Sequence, residues 1–250
     1  MREALYRRSL RHPRVHDVLR RGAQVGRHLA RRPHDPDFAA FALWPERDGL
    51  FLDVGANTGA SALAFRIYNR RSPILSIEPN PLHEPDLRAV GRLIRGFDYM
   101  LCGASDEPGE LTLYTPVIGR VPLTGESSLS REIVEGREPH LLEHLGLEQR
   151  PGTLGIVETT VRVRPLDELE LAPAFVKLDV QGWELHVIAG LRRTLERHRP
   201  VLFVENGPYI PQARELLGEL GYEARRYDHA ARRLAPFAGE EVMNVLFVAP

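Results

Sequence analysis

The sequence predicts a doubly wound α/β fold with a mostly parallel sheet, and three features carry that prediction. Short apolar runs at 50–52, 73–77, 174–179 and 201–204 alternate with segments whose apolar residues recur at helical spacing. The first run enters its helix through a glycine turn, GLFLDVGANTG at 49–59. Most connections are helical, and strands joined through helices lie parallel.

Composition sets the outer limits. A chain of 250 residues, 43% hydrophobic and 27% charged, suits one α/β domain with an appendage. No run approaches the ~18 apolar residues of a membrane span, and the first residues form no apolar signal core. The lone Cys102 excludes an internal disulfide and a thiolate metal cluster, and a reducing, cytoplasmic setting fits. The net charge of -1 hides an asymmetry, because residues 1–32 hold ten arginines against Glu3 and Asp17. An arm of about +8 is therefore joined to a body of about -9.

Residues 1–38 read as this basic helical arm and 39–250 as the domain proper, with Pro33 and Pro36 marking the boundary. Leu5, Val15, Val18, Leu19, Val25 and Leu29 give the arm a weak apolar stripe that Pro13 interrupts. Three readings stand for it: helices packed on the domain's edge, peripheral contact with an anionic membrane surface or acidic partner, or an Arg-rich transit segment. The acidic body argues against a nucleic-acid substrate. Oligomeric state is not readable.

The elements follow in order. Phe38–Leu43 is a short apolar helix leading to the first strand, and Ala60, Leu63, Ala64 and Ile67 mark the helix after the glycine turn. Pro73 to Ile77 is the second strand and Phe97 to Ala104 the third. The segments 110–115 and 159–164 alternate with period two and read as an antiparallel pair. The excursion between them, 116–152, is a lid or insertion containing Gly119, Gly125, Gly136, Gly146 and Gly152. Its HisLeuLeuGluHis run at 140–144 matches an inverted zinc-peptidase pattern, but no third ligand is identifiable, and polar positions on a lid helix explain it. Ala174 to Asp179 is a strand followed by a helix carrying Val187, Ile188, Leu191 and Leu195. Val201–Val204 is the next strand, Pro208 and Pro211 start a helix that stops at Gly221, and Tyr222–Tyr227 and Val242–Val248 are the last strands.

The candidate site collects at the carboxyl ends of these strands. Gly55 and Gly59 clear side chains from a turn where a nucleotide-like ligand touches backbone. The dinucleotide fingerprint needs glycine where Asn57 and Ala60 stand, and no Lys-Ser/Thr pair makes a phosphate loop. An acidic residue, Asp53, followed by Gly55, Asn57, Thr58 and Gly59 looks instead like an S-adenosylmethionine loop, whose ligand has a cationic end and no phosphate. Glu78 closes the second strand, where a carboxylate accepts ribose hydroxyls. Small residues at Ala104 admit an adenine ring, with Ser105 or Asp106 for its amino group.

Lys177, the only lysine of the chain, shares a strand face with Phe175 and Asp179. A buried ammonium needs a partner, and Asp179, Glu184 and Glu205 are the candidates. These four residues form either a catalytic polar floor, with Asp179 or Glu205 orienting or deprotonating an acceptor, or a structural ion network. Ser127 and Ser128 serve either ligand binding or a turn. Trp183 offers a flat wall to a sugar ring or fills the core, and His186 is a surface helix position. A divalent metal on these carboxylates lacks a readable ligand set.

Taken together, 51–59, 76–81, 104–106, 127–129, 164–169, 175–185 and 199–205 resemble the FkbM family of S-adenosylmethionine-dependent methyltransferases. The resemblance covers about 39–206 and leaves out the arginine arm. It implies a seven-stranded class I methyltransferase sheet with an antiparallel last strand, and O-methylation of a sugar, glycolipid or polyketide-type natural product. It further implies that Asp53, Gly55, Asn57 and Gly59 hold the methionine end, Glu78 the ribose and Ala104–Asp106 the adenine, with Asp179 near the transferred methyl. A non-catalytic S-adenosylmethionine-binding module and a nicotinamide oxidoreductase are the competing readings, the latter disfavoured by Asn57.

Overall fold

The computed structural model describes residues 13–45, 49–119, 121–145 and 154–249, with the backbone alone at 13–17, 144 and 145. The strands are β1 (Leu50–Val54), β2 (Ile74–Ile77), β3 (Phe97–Met100), β4 (Gly103–Ala104), β5 (Gly109–Ile118), β6 (Val121–Pro122), β7 (Leu154–Arg164), β8 (Pro173–Leu178), β9 (Val201–Glu205), β10 (Glu223–Asp228), β11 (Arg233–Pro236) and β12 (Asn244–Val248). The main sheet runs β11-β10-β12-β9-β8-β1-β2-β3. Pairing is parallel from β3 to β9 and antiparallel from β9 through β12 and β10 to β11.

This corrects the expectation of seven strands. Seven follow the expected arrangement, with β12 antiparallel, and β11 adds an eighth at the edge. Its four residues, ArgLeuAlaPro, are too short to show alternation, and Pro236 suits an edge where a missing N–H is tolerated. The expected third strand is also broken: β3 stays in the main sheet while β4 pairs with β7 in a second, four-stranded sheet, β4-β7-β5-β6. The antiparallel pair β5–β7 runs longer than expected, from Gly109 opposite Val163 to Ile118 opposite Leu154. The last strand starts at Asn244 rather than at 242.

The helices are α1 (Pro13–Leu29), α2 (Ala60–Tyr68), α3 (Glu84–Leu93), α4 (Arg131–Gly136), α5 (Glu138–Leu145), α6 (Glu184–Gly190), α7 (Arg192–His198) and α8 (Ile210–Glu219). Helix α3 has no counterpart among the expected elements, because its opening GluProAsp reads as a turn although proline is tolerated in a first helical turn. The helix expected after 181 is two pieces, α6 and α7, meeting at Leu191. Phe38–Leu43 belongs to a 3-10 segment, Pro36–Leu43, capped by Asp35, whose side chain accepts the Asp37 N–H.

The two-residue period of the strands divides the core. Leu52, Val54, Val176, Leu178, Leu202 and Val204 face α6, α7 and α8 in one cluster. Phe51, Phe175, Phe203 and Leu246 face the other way, against Phe38, Phe41 and Phe65. There Phe51 stacks on Phe65 at 4.1 Å, and Phe41 meets Phe65 edge-on at 4.9 Å. Asp53 and Lys177 continue this aromatic face toward the carboxyl end of the sheet, paired in register. The fold thus places buried charges immediately beneath the ligand crevice.

Helix α1 docks through its polar side. Gln24 donates to the Thr58 carbonyl at 2.9 Å, and Arg31 donates to the Ile67 carbonyl at 3.1 Å. Arg20 and Arg21 both reach the buried Asp86 of α3, at 2.7 and 2.5 Å. Val18 and Leu29 are consequently left outward, 69% and 71% exposed. Pro13 is the first residue of α1 rather than an interruption, whereas Leu5 and the insertion glycines 146 and 152 lie outside the described residues. No helix among the described residues is long and apolar enough to cross a membrane.

Burial alone would raise the Asp86 carboxyl, but the neighbouring His83 and the hydrogen bonds from Arg20 and Arg21 outweigh it and hold it down at about 2. A depressed carboxyl contributes stability that is complete above its unfolded value and is lost as pH falls through the folded one. The arm is therefore expected to loosen between about pH 4 and pH 2. Asp86→Asn is expected to loosen it at neutral pH, at a cost of about 1–2 kcal/mol once the partial exposure of both arginines is discounted. Limited proteolysis at 13–32, with pepsin in the acid range, checks both; equal cleavage of variant and parent would contradict the anchor.

Candidate active site

The strand order reverses between β1 and β8, and the crevice opens there, as expected for an open α/β sheet. It encloses about 670 Å³, part of it open to solvent. Of the expected residues, Gly55, Asn57, Glu78, Ala104, Ser127, Ser128, Asp179 and Trp183 line it.

Gly55 lies at φ +80°, and a Cβ placed there would sit 1.8 Å from the Asp179 carbonyl. The β1 turn and the β8 turn can therefore touch only through glycine. Asn57, at φ +50°, donates its N–H to Glu78 Oε2 at 2.6 Å, and the Asn80 N–H reaches Oε1 at 2.8 Å. Burial raises the Glu78 pKa, while His83 and these two amides oppose that rise. Each Glu78 oxygen keeps a lone pair for a diol, so the carboxylate is fixed in place without being used up.

Below the cleft lies the charged floor. Lys177, 2% exposed, donates to Asp179 Oδ2 at 2.8 Å. Gln181 Nε2 donates to Asp179 Oδ1 at 2.9 Å and to Glu205 Oε2 at 3.0 Å. Burial would raise Asp179, but the Lys177 charge and its hydrogen bonds hold it below the ordinary carboxylate range. Glu205 is driven up to about 8, by burial first and then by the charge of Asp179, with which it shares a hydrogen bond. Within the pair, Asp179 is thus pushed toward its ionised form and Glu205 toward its neutral one. Asp53 is fully buried and raised to about 6 by desolvation, against Lys177 and the Ser76 hydroxyl. Its Oδ1 has no hydrogen-bond partner among the described residues.

Several expected site residues lie off the cleft. Asp53 and Lys177 sit under it, and Glu205 reaches it only through Gln181. Glu184 is fully buried, with its two oxygens accepting the Val180 and Gly182 N–H groups at 3.0 Å each. It ties down the loop after β8, a structural task, rather than facing a ligand. The Thr58 carbonyl is taken by Gln24, and Gly59 packs against Val90. Ser105 and Asp106 bond one another at 3.0 Å behind the lining. Trp183 donates to Ser105 at 3.3 Å and stacks on His186 at 4.0 Å, which ties it to the β4 side of the cleft.

The Ser127 and Ser128 hydroxyls also have protein partners. Ser127 Oγ lies 2.9 Å from Thr115 Oγ1, and Ser128 Oγ donates to the Gln181 carbonyl at 2.9 Å. The insertion thus closes one side of the cleft, and Thr124, Gly125 and Leu129 from it join the lining. Ser127 and Ser128 were visible in the sequence, but Gln181 had no signal beyond its place in the turn after β8. No three metal-ligating side chains cluster among the described residues; the side chain of His144, from the HisLeuLeuGluHis run, lies outside them.

Among the described lining residues the ionisable side chains are Glu78 and Asp179, and Lys177, bonded to Asp179, lies beneath the lining. A sulfonium nucleoside bearing a diol, neutral at its base and positive at its reacting centre, fits that lining. Strand order and crevice together define a class I methyltransferase-like fold. A family model described as the methyltransferase FkbM domain matches residues 53–224, more than half of the chain. The chain belongs to this family.

Among solved structures, a methyltransferase FkbM from Methylobacillus flagellatus KT is similar at 17% identity and a TM-score of 0.50. The match covers 90% of this chain and 52% of that one, so this chain spans about half its length. A precorrin-6y C5,15-methyltransferase from Geobacter metallireducens GS-15 matches at 13% identity, TM-score 0.43, covering 84% of each chain. An Aeropyrum pernix fibrillarin with natively bound S-adenosyl-L-methionine matches at 14% identity, TM-score 0.41, covering 85% of this chain and 76% of that one. At these identities the likeness is one of fold. Comparison with curated proteins finds no match.

Proposed function

We propose that this domain transfers the methyl group to a hydroxyl of a sugar, glycolipid or polyketide-type natural product. The observation supporting this reading is the placing of Asp179: a carboxylate on the cleft wall, bonded to the buried Lys177 and held below the ordinary carboxylate range by it. When bound, S-adenosylmethionine supplies an electrophilic methyl on a sulfonium. A hydroxyl attacking it forms the new C–O bond as the S–C bond breaks, and must give up its proton. Asp179, on the cleft wall, is the carboxylate positioned to accept that proton, while Glu205, pushed toward its neutral form, lies behind Gln181.

Glu78 and the Gly55–Asn57 turn hold the nucleoside, and the insertion from Thr124 to Leu129 excludes water. Alignment of methyl and hydroxyl then supplies a large part of the acceleration. The direct test supplies isotopically labelled S-adenosylmethionine and a panel of hydroxylated acceptors to the parent and to Asp179→Asn, and locates the label by NMR.

A further inference from the structure

Gln181 occupies a backbone position that disfavours it. It sits at φ +57°, next to Gly182 at φ +100°, a pair of left-handed residues at which an L side chain is ordinarily avoided. Its side chain accounts for its presence. Nε2 has two hydrogens and uses one on Asp179 and one on Glu205. Oε1 accepts from the Arg137 guanidinium, which follows α4 in the insertion. The opposite amide orientation would set Oε1 against two carboxyl groups and NH2 against a cation, so the surroundings fix its direction.

The same turn is held from the insertion by two further contacts, one to Gln181 and one to Gly182. The Ser128 hydroxyl donates to its carbonyl at 2.9 Å. Ile133 of α4 packs over Gly182 so closely that a Cβ there would lie 2.3 Å from its Cδ1. Arg137 also lies 3.4 Å from Glu126 within the insertion. Seating of the insertion and orientation of the Gln181 amide are therefore one structural event.

We propose that Gln181 is a positioning residue of methyl transfer: oriented by Arg137, its amide holds Asp179 and Glu205 as a pair and couples their titration to the seating of the insertion. The proposal rests on the reading of Asp179 as the acceptor-side carboxylate. Donation from Nε2 favours the ionised form of both carboxyls, and the adjoining guanidinium strengthens that donation. The other groups facing the pair are Lys177 on β8, Asp53 on β1, Glu184 on α6 and Tyr209 ahead of α8, with His34 and Glu78 at longer range. None of these belongs to the insertion, so Arg137 through Gln181 is the link from the insertion to the pair among the described residues.

The test needs no acceptor substrate, so it can fail independently of the hydroxyl assignment. Infrared difference titration of the full chain follows the protonated carboxyl band, and its loss in Glu205→Gln assigns that band. Gln181→Met keeps length and removes both donors; it is expected to move the band's midpoint upward by about one pH unit. Arg137→Met should move it less in the same direction, and Arg137→Lys should restore part of the shift. Circular dichroism and thermal melting confirm that each variant is folded. A midpoint unmoved in folded Gln181→Met and Arg137→Met, or a band that persists in Glu205→Gln, would overturn the proposal.

Discussion

Replacement of Gly55 by alanine is expected to abolish cofactor binding and to destabilise the domain more than any other single methyl added to it. Two costs coincide at this position. The left-handed φ of +80° costs an alanine about 1–2 kcal/mol. The larger cost is the 1.8 Å approach of the new Cβ to the Asp179 carbonyl, because neither partner is a side chain that can swing away. The ends of β1 and β8 must separate, and those are the two strands that frame the crevice. A loss above about 4 kcal/mol belongs to such backbone mechanisms. Calorimetric titration with S-adenosylmethionine should show affinity reduced at least about a hundredfold, about 2.8 kcal/mol. Gly22→Ala, on the exposed side of α1 with nothing within 4 Å, is the control expected to leave binding intact. Near-parental affinity in Gly55→Ala would contradict the close packing of the two turns.

Lys177→Met should be the most destabilising change in the floor. Breaking a buried ion pair from one side costs about 3–5 kcal/mol because the partner charge is stranded. The lower end applies, since the Asp179 side chain is 30% exposed. With about 2–4 °C lost per kcal/mol in a domain of this size, the melting temperature should fall by roughly 10 °C. The Asp179 carboxyl loses its ion partner and titrates higher. Adding Asp179→Asn to Lys177→Met removes the stranded charge and should recover part of the stability, a non-additivity that neutral packing would not produce. Additive melting shifts would contradict the pairing.

How much of this was legible in sequence depends on the range of the interaction. The β1–α2 and β8–α6 turns could be read because local rules fix them: an apolar run, an acidic residue, glycines, then helical spacing. Lys177 stood out as the one lysine, and period two put it on the face of Asp179, where the 2.8 Å contact lies. The role of Glu184 was not legible, because its oxygens are used by the backbone of its own turn, 180 and 182, a conformation that spacing does not reveal. Gln181 was likewise hidden, since the three partners of its side chain come from the residue after β8, from β9 and from the insertion. The apolar stripe of α1 was visible, but not that Arg20, Arg21 and Gln24 would dock it by the polar side. β11 and α3 were missed where a short edge strand and a proline-opened helix carry little periodic signal.

The measurement that bears most directly on the central claim is turnover of the parent and of Asp179→Asn with labelled S-adenosylmethionine and hydroxylated acceptors. Calorimetry alongside confirms that both bind the cofactor. The account predicts a labelled methyl ether from the parent and a fall of about a hundredfold to ten-thousandfold in turnover for the variant, with cofactor affinity little changed. A label found on nitrogen or carbon, or near-parental turnover in Asp179→Asn, would contradict it.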